Sequence, residues 1–187
     1  MADSDKLIEV ELKYACIEPE QFVTQIEKLG FRRVGAVEQI DEYWNHPTKD
    51  YAETDEAFRI RREDGLVALT YKGPKANTFA KSREEIELAF EANTSLDQVR
   101  RLLSALGFRA VASVTKHRKE YESPEHDGTK IVLDHVEQLG WFVEVERVCM
   151  PSESAAVEES LIALCRQINL NNPVRESYLE LILRSDP

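Results

Sequence analysis

The sequence predicts an α+β fold: eight β-strands, paired antiparallel and closed into a barrel from two duplicated halves, with helices packed outside. Three observations predict it. Eight stretches alternate apolar and charged residues with a period of two, the period at which successive strand side chains point to opposite faces. Three further stretches carry apolar residues at helical spacing. A set of short motifs also occurs twice, offset by about 76–78 residues, which is longer than solenoid periods and reads as a duplicated half-domain.

The first strand covers residues 7–16, where Glu9, Glu11 and Lys13 alternate with Val10 and Leu12. A helix over residues 20–29 follows, with Phe22, Ile26 and Leu29 on one face and Gly30 as its stop signal. Strands come next at residues 37–43, 58–62 and 67–72, and Glu63-Asp64-Gly65 is the turn chemistry of a hairpin. Residues 83–90 open the second copy with another strand. A helix over residues 96–106 follows, with Val99, Leu102, Leu103 and Leu106 on one face, Ser95 near its N-cap and Gly107 after its end. Strands at residues 111–121, 130–134 and 141–148 complete the eight, and a helix over residues 155–168 follows Ser152, which stands near an N-cap position. The repeat itself is explicit. Glu-Val-Glu-Leu at 9–12, Leu-Gly-Phe-Arg at 29–32 and Glu-Tyr at 42–43 recur as Glu-Ile-Glu-Leu at 85–88, Leu-Gly-Phe-Arg at 106–109 and Glu-Tyr at 120–121. No Pro/Gly/Ser-rich linker separates the copies, so residues 1–187 are expected to form one domain.

Composition narrows the function classes. The 187 residues are 42% hydrophobic and 32% charged, with a net charge of −11, which speaks against bulk electrostatic binding to nucleic acid or an anionic membrane. Cys16, Cys149 and Cys165 are odd in number and lack CxxC spacing, so neither a disulfide framework nor a zinc cluster is expected. The polar first residues and the lack of a long apolar run make the cytoplasm the expected location.

The chemistry-bearing pattern is a set of three Glu-x-Glu pairs on strands: Glu9/Glu11, Glu85/Glu87 and Glu144/Glu146. One pair alone is most simply a solvated sheet face. Here Asp134 and seven bases fall in the same phase: Lys13, Arg59, Arg61, Lys72, Arg83, Lys116 and Arg118. Facing these inward buries many charges, which is tolerable only when they pair or bind ions in a hydrated lumen. Carboxylates without His or Cys partners select Mg²⁺ or Mn²⁺, and clustered Arg and Lys suit phosphate oxygens. No Walker A loop is present; Lys72-Gly73-Pro74 lacks the preceding glycines. His46, His117, His126 and His135 show no ligand spacing and are expected to be structural or on the surface.

Glu9-Val-Glu-Leu-Lys13 resembles the ExExK signature of the CYTH superfamily, the triphosphate tunnel metalloenzymes, which include class IV (CyaB-type) adenylate cyclases and thiamine triphosphatases. The resemblance continues through Phe58-Arg59-Ile-Arg61, Tyr71-Lys72-Gly-Pro74, Arg83-x-Glu85-x-Glu87, Lys116-x-Arg118, Leu133-Asp134, Gly140-x-Phe142-x-Glu144-x-Glu146 and Ser177-Tyr178-Leu-Glu-Leu. It implies an eight-stranded antiparallel barrel forming a tunnel. It implies Glu9, Glu11, Asp134, Glu144 and Glu146 as ligands of Mg²⁺ or Mn²⁺, with Glu85 and Glu87 as further tunnel acids. Lys13, Arg59, Arg61, Lys72, Arg83, Lys116 and Arg118 become triphosphate contacts, with Lys13, Arg61, Lys116 and Arg118 taking part in the reaction.

The implied activity is conversion of ATP to cyclic AMP and pyrophosphate. The alternatives are hydrolysis of thiamine triphosphate, tripolyphosphate or a nucleoside triphosphate, and non-catalytic binding of a polyphosphate or nucleotide. The expected partner is a small-molecule triphosphate, with no nucleic acid, no membrane and a possible homodimer. The segment 178–183 would dock at a tunnel mouth or at a subunit interface.

Overall fold

The structure is a computed structural model that describes residues 7–74, 81–126 and 128–185. Its elements run β1 (Ile8–Ala15), α1 (Pro19–Lys28), β2 (Arg32–Asn45), β3 (Ala57–Glu63), β4 (Leu66–Lys72), β5 (Lys81–Arg83) and β6 (Glu85–Ala89). The second half continues with α2 (Leu96–Ala105), β7 (Arg109–Glu122), β8 (Thr129–Val136), β9 (Gly140–Cys149), α3 (Ser154–Gln167) and α4 (Tyr178–Ser185). All neighbouring strands pair antiparallel, in the order β5-β1-β9-β8-β7-β2-β3-β4-β6.

The expected strand over residues 83–90 is two strands. β5 pairs with β1 and β6 pairs with β4, so the segment changes partner at Glu84, where the Glu84 carbonyl accepts a hydrogen bond from Gly73 N–H at 2.9 Å. The two ends of the sheet are thus consecutive in the chain, and the sheet curls round into a tunnel. The break has a physical cause: strands tilt when a sheet curls, and one straight segment cannot stay in register with two diverging neighbours. The other seven strands fall where alternation placed them, although β2 and β7 are longer, at 14 residues each. Their extra residues continue the β2–β7 pairing at both ends, and Trp44 and Asn45 among them line the cavity.

The duplication is visible in the topology. Read from either end, the strand order exchanges β1 with β6, β2 with β7, β3 with β8 and β4 with β9. The pseudo-twofold passes between β2 and β7, where the equivalent positions Gln39 and Lys116 face each other. Each copy's first strand pairs with the other copy's last, so neither half closes the sheet alone.

Helices cover the outer face. Val10, Leu12, Leu133, Val143 and Val145 pack with Phe22 and Ile26 of α1 and Val157, Leu161 and Leu164 of α3. Ile60 and Val67 pack with Val99 and Leu103 of α2. Burying each such side chain contributes about 1.5–3 kcal/mol and orients the charged alternate positions inward. Ser95 caps α2 by accepting a hydrogen bond from Gln98 N–H. Ser152 does not cap α3: it lies in a 3₁₀ turn, Pro151–Glu153, that runs directly into the helix, and the Glu153 side chain takes the Met150 N–H instead. The hairpin turn is as expected, with Asp64 and Gly65 both at positive φ. Cys149 at the end of β9 and Cys165 on α3 are both buried in the same core cluster.

After α3 the chain returns along β1, where Pro173 bridges Tyr14 and Val174 N–H donates to the Lys13 carbonyl at 2.7 Å. This strap delivers α4 to one mouth of the tunnel. There Tyr178 and Ile182 pack with Tyr43, Val114, Val136 and Phe142. Among the described residues no helix is long and apolar enough to cross a membrane.

Candidate active site

The register of β1 against β9 sets Glu11 opposite Glu146 and Lys13 opposite Glu144. Carboxylate oxygens of Glu11, Glu144 and Glu146 lie within 4.8 Å of one another. Like charges this close repel. Burial, then the neighbouring Glu9, Glu144 and Glu11, push the Glu146 carboxyl up to about 8. Burial raises Glu9 as well; Glu11, Glu85 and Glu144 add to the effect and Lys72 partly offsets it. Negative charge gathered at this cost fits a cation, and an all-carboxylate set fits a hard divalent ion.

Asp134 lies apart from that trio. Arg118 holds it bidentately, with Nε at 2.9 Å and Nη2 at 2.7 Å, and the same Nη2 reaches Glu144 at 2.6 Å. Asp134 has no exposed surface; burial alone would raise its pKa, but the Lys116 and Arg118 charges win and hold it low. Lys116 lies 3.7 Å from Asp134, and burial together with the Arg118 charge brings its pKa down to about 8.

Across the lumen the arrangement recurs with its charges exchanged. Asp41 on β2 accepts from Arg61 at 2.7 and 2.8 Å and from Arg59 at 3.2 Å on β3. Burial opposes its ionisation, yet Arg59 and Arg61 hold its carboxyl far below the usual range. Asp41 and Arg118 occupy equivalent places in the two copies, so the duplication kept an ion pair at each place and inverted it. Lys72 is bonded to Glu85 and lies 3.8 Å from Glu9, while Arg59 is 3.7 Å from Glu85. Glu87 is exposed and accepts from the Thr70 hydroxyl at 3.2 Å.

Tyr178 enters this lumen from the start of α4. Lys13 Nζ sits 4.1 Å above its ring and Lys116 Nζ 5.3 Å, within cation–π range. Its hydroxyl donates to Asp134 at 3.1 Å. A cavity of about 320 Å³ runs between these groups. Every expected site residue lines it except Asp134, which lies behind Arg118, and Glu87, which lies outside. Sequence reasoning missed Asp41 as a site residue and expected Tyr178 only as the start of a segment docked at a tunnel mouth or a subunit interface. The strand phase Gln39-Asp41-Tyr43 carries a signal for Asp41; nothing local marks Tyr178. His117 and His135 stand in line with Trp141 on the outer face, and His126 stacks on Phe31, away from the lumen.

The CYTH domain family model matches residues 7–175. A candidate adenylate cyclase of Methanocaldococcus jannaschii is 38% identical over 178 residues, covering 94% of this chain and 98% of its own. Among solved structures, a Pyrococcus horikoshii protein superposes with TM-score 0.84 at 37% identity, covering 94% of this chain and 98% of its own. A Hippeastrum protein described as a candidate adenylyl cyclase with dominant triphosphatase activity superposes with TM-score 0.70 at 18% identity, covering 96% and 95%.

Proposed function

This chain belongs to the CYTH domain family, and on that premise we propose that its tunnel binds a triphosphate with a divalent ion and breaks a bond to phosphorus. One observation carries this reading: a cavity in which a cluster of carboxylates, Glu9, Glu11, Glu144 and Glu146, faces a wall of cations. Glu11, Glu144 and Glu146, with Glu9 beside them, would hold Mg²⁺ or Mn²⁺, which supplies charge neutralisation and Lewis acidity at phosphate oxygens. Asp134 is assigned to Arg118, since that guanidinium already occupies both its oxygens.

Lys13, Lys116 and Arg118 grip phosphate from the Tyr178 side of the lumen, and Arg59, Arg61, Lys72 and Arg83 grip it from the other. Charge growing on the leaving phosphates meets donors that Asp41 and Asp134 already hold in place, so little reorganisation is needed. Lys116 Nζ carries a proton that it gives up near pH 8. Tyr178 and α4 exclude water from one mouth.

The assigned reaction is cyclisation of ATP. The ribose 3′-oxygen bonds to the α-phosphorus, the bond to the α–β bridging oxygen breaks, and pyrophosphate leaves as the hydroxyl proton is lost. The 38% identical relative, named as a candidate adenylate cyclase, supports this choice. Hydrolysis is the second reading, since the same fold carries triphosphatase activity in the Hippeastrum protein. Incubation with ATP, thiamine triphosphate and tripolyphosphate under Mg²⁺ and Mn²⁺ tests both. Cyclic AMP with pyrophosphate is the expected outcome; orthophosphate in its place establishes hydrolysis, and no product from any of the three overturns an enzymatic role.

A further inference from the structure

The duplicated motif carries two Glu-x-Glu pairs, Glu9/Glu11 and Glu85/Glu87, of which Glu9, Glu11 and Glu85 line the cavity, yet their surroundings differ. Glu11 stands opposite Glu146 and joins Glu144 and Glu146 in one carboxylate group, and the charges of Glu11, Glu85 and Glu144 act on Glu9 beside it. Glu85 meets bases: its Oε2 is bonded to Lys72 Nζ and its Oε1 is 3.7 Å from Arg59. We propose that Glu85 is a built-in counter-ion that occupies the phosphate-gripping bases Lys72 and Arg59 in the empty tunnel and is displaced by the incoming triphosphate. The inference rests on the triphosphate reading above and deepens it, because it assigns regulation of affinity to one residue of that site.

Three features point the same way. The register of β4 against β6 places Lys72 directly opposite Glu85, so the contact is set by backbone pairing. Burial disfavours the Glu85 carboxylate, but Lys72 and Arg59 hold its pKa below the ordinary value, whereas burial and neighbouring carboxylates raise its counterpart Glu9. Glu85 therefore belongs with the compensated charges and stands outside the group of three carboxylates. Glu85 also lines the cavity, with its side chain 26% exposed, so it has room to turn aside once phosphate oxygens take its partners.

Such a counter-ion lowers affinity for the anion in the ground state. It also re-forms as phosphate leaves, which hastens product release. Buried bases left with no anion would be costly between turnovers, and Glu85 removes that cost without holding the site permanently.

The test compares the wild type with Glu85→Gln by calorimetry of tripolyphosphate with Ca²⁺ present, by Mn²⁺ binding without anion, and by steady-state kinetics. Glu85→Gln should bind tripolyphosphate about tenfold more tightly, a gain on the scale of one charge-assisted contact removed from competition. Its KM and kcat should both fall, while its Mn²⁺ affinity stays within about threefold of wild type. A tenfold or larger loss of Mn²⁺ affinity would make Glu85 a metal ligand and overturn the proposal, as would tripolyphosphate affinity that is unchanged or weaker. If Glu85→Gln does not fold, Glu85→Asp keeps the charge with a shorter reach and should shift affinity the same way by a smaller factor; no shift there overturns the proposal. Wild-type protein that fails to bind tripolyphosphate would instead overturn the triphosphate reading itself, an outcome distinct from any change produced at residue 85.

Discussion

Side chains of one charge sign behave differently in this lumen according to what faces them. Glu146 lies among acids, and its folded pKa of about 8 stands above the ordinary 4.5. A raised carboxyl costs the folded state stability as pH climbs from 4.5 toward 8, because the unfolded chain ionises there and the folded chain still holds its proton. Asp41 and Asp134, held low, contribute throughout that window and lose their contribution only in stronger acid. Thermal melts of metal-free protein should therefore show lower stability at pH 8 than at pH 6, and Mg²⁺ or Mn²⁺ should reverse the trend. A flat or opposite metal-free profile would count against charge crowding at Glu146. Replacing Glu144 with Gln should abolish turnover and also lower the melting temperature, because it takes one partner from buried Arg118; full activity in excess EDTA would dismiss the metal altogether. Asp134→Asn should likewise cost about 3 kcal/mol of stability by leaving Arg118 buried with one partner fewer. Denaturant titration measures that loss, and Mn²⁺ affinity should change little, since Asp134 lies outside the carboxylate trio.

At the scale of elements, α4 matters beyond its length of eight residues. Its first residue supplies the ring beneath Lys13 and Lys116 and the hydroxyl on Asp134, while Ile182 seals the apolar mouth. Tyr178→Phe keeps the ring and removes only the hydrogen bond, so kcat/KM should fall by about tenfold or less. Tyr178→Ala removes both and opens the mouth, and should cost about a hundredfold. Equal effects of the two substitutions would show that the ring does not position the lysines. β5 and β6 make a comparable point, because a single residue, Glu84, lets one segment pair with both ends of the sheet.

For the whole molecule, the tunnel is a set of opposed charges that a metal–triphosphate complex completes. Metal binding offsets the acid side and phosphate offsets the basic side, so each ligand should favour the other. Each at about 100 times its own Kd should stabilise the fold by ~2.7 kcal/mol alone, and both together by more than the ~5.4 kcal/mol sum. Differential scanning calorimetry with Mg²⁺, with tripolyphosphate and with both would read this coupling; simple additivity would argue that the two sites are independent. The interlocked copies make the response global, since the metal-side acids come from β1 and β9 and the phosphate-side bases from both halves.

The sequence by itself determined the α+β class, the alternation that turns charge inward, the duplication, and most of the charged residues that line the lumen. These are local or periodic properties: a strand's phase assigns a face to every residue along it. Family resemblance added the order of motifs. Only the tertiary structure decided which charge meets which. Asp134 and Glu144 look alike along the chain, yet the register of β7, β8 and β9 sets both oxygens of Asp134 on Arg118 and places Glu144 beside Glu11 and Glu146. Glu9 and Glu85 match in the repeat, yet strand pairing sets Glu85 directly opposite Lys72, while Lys72 is 3.8 Å from Glu9, whose pKa burial and neighbouring carboxylates raise. Asp41 and Tyr178 acquire their roles the same way, through partners 20 or 44 residues distant. Electrostatic energy depends on distance in space, and strand register sets that distance.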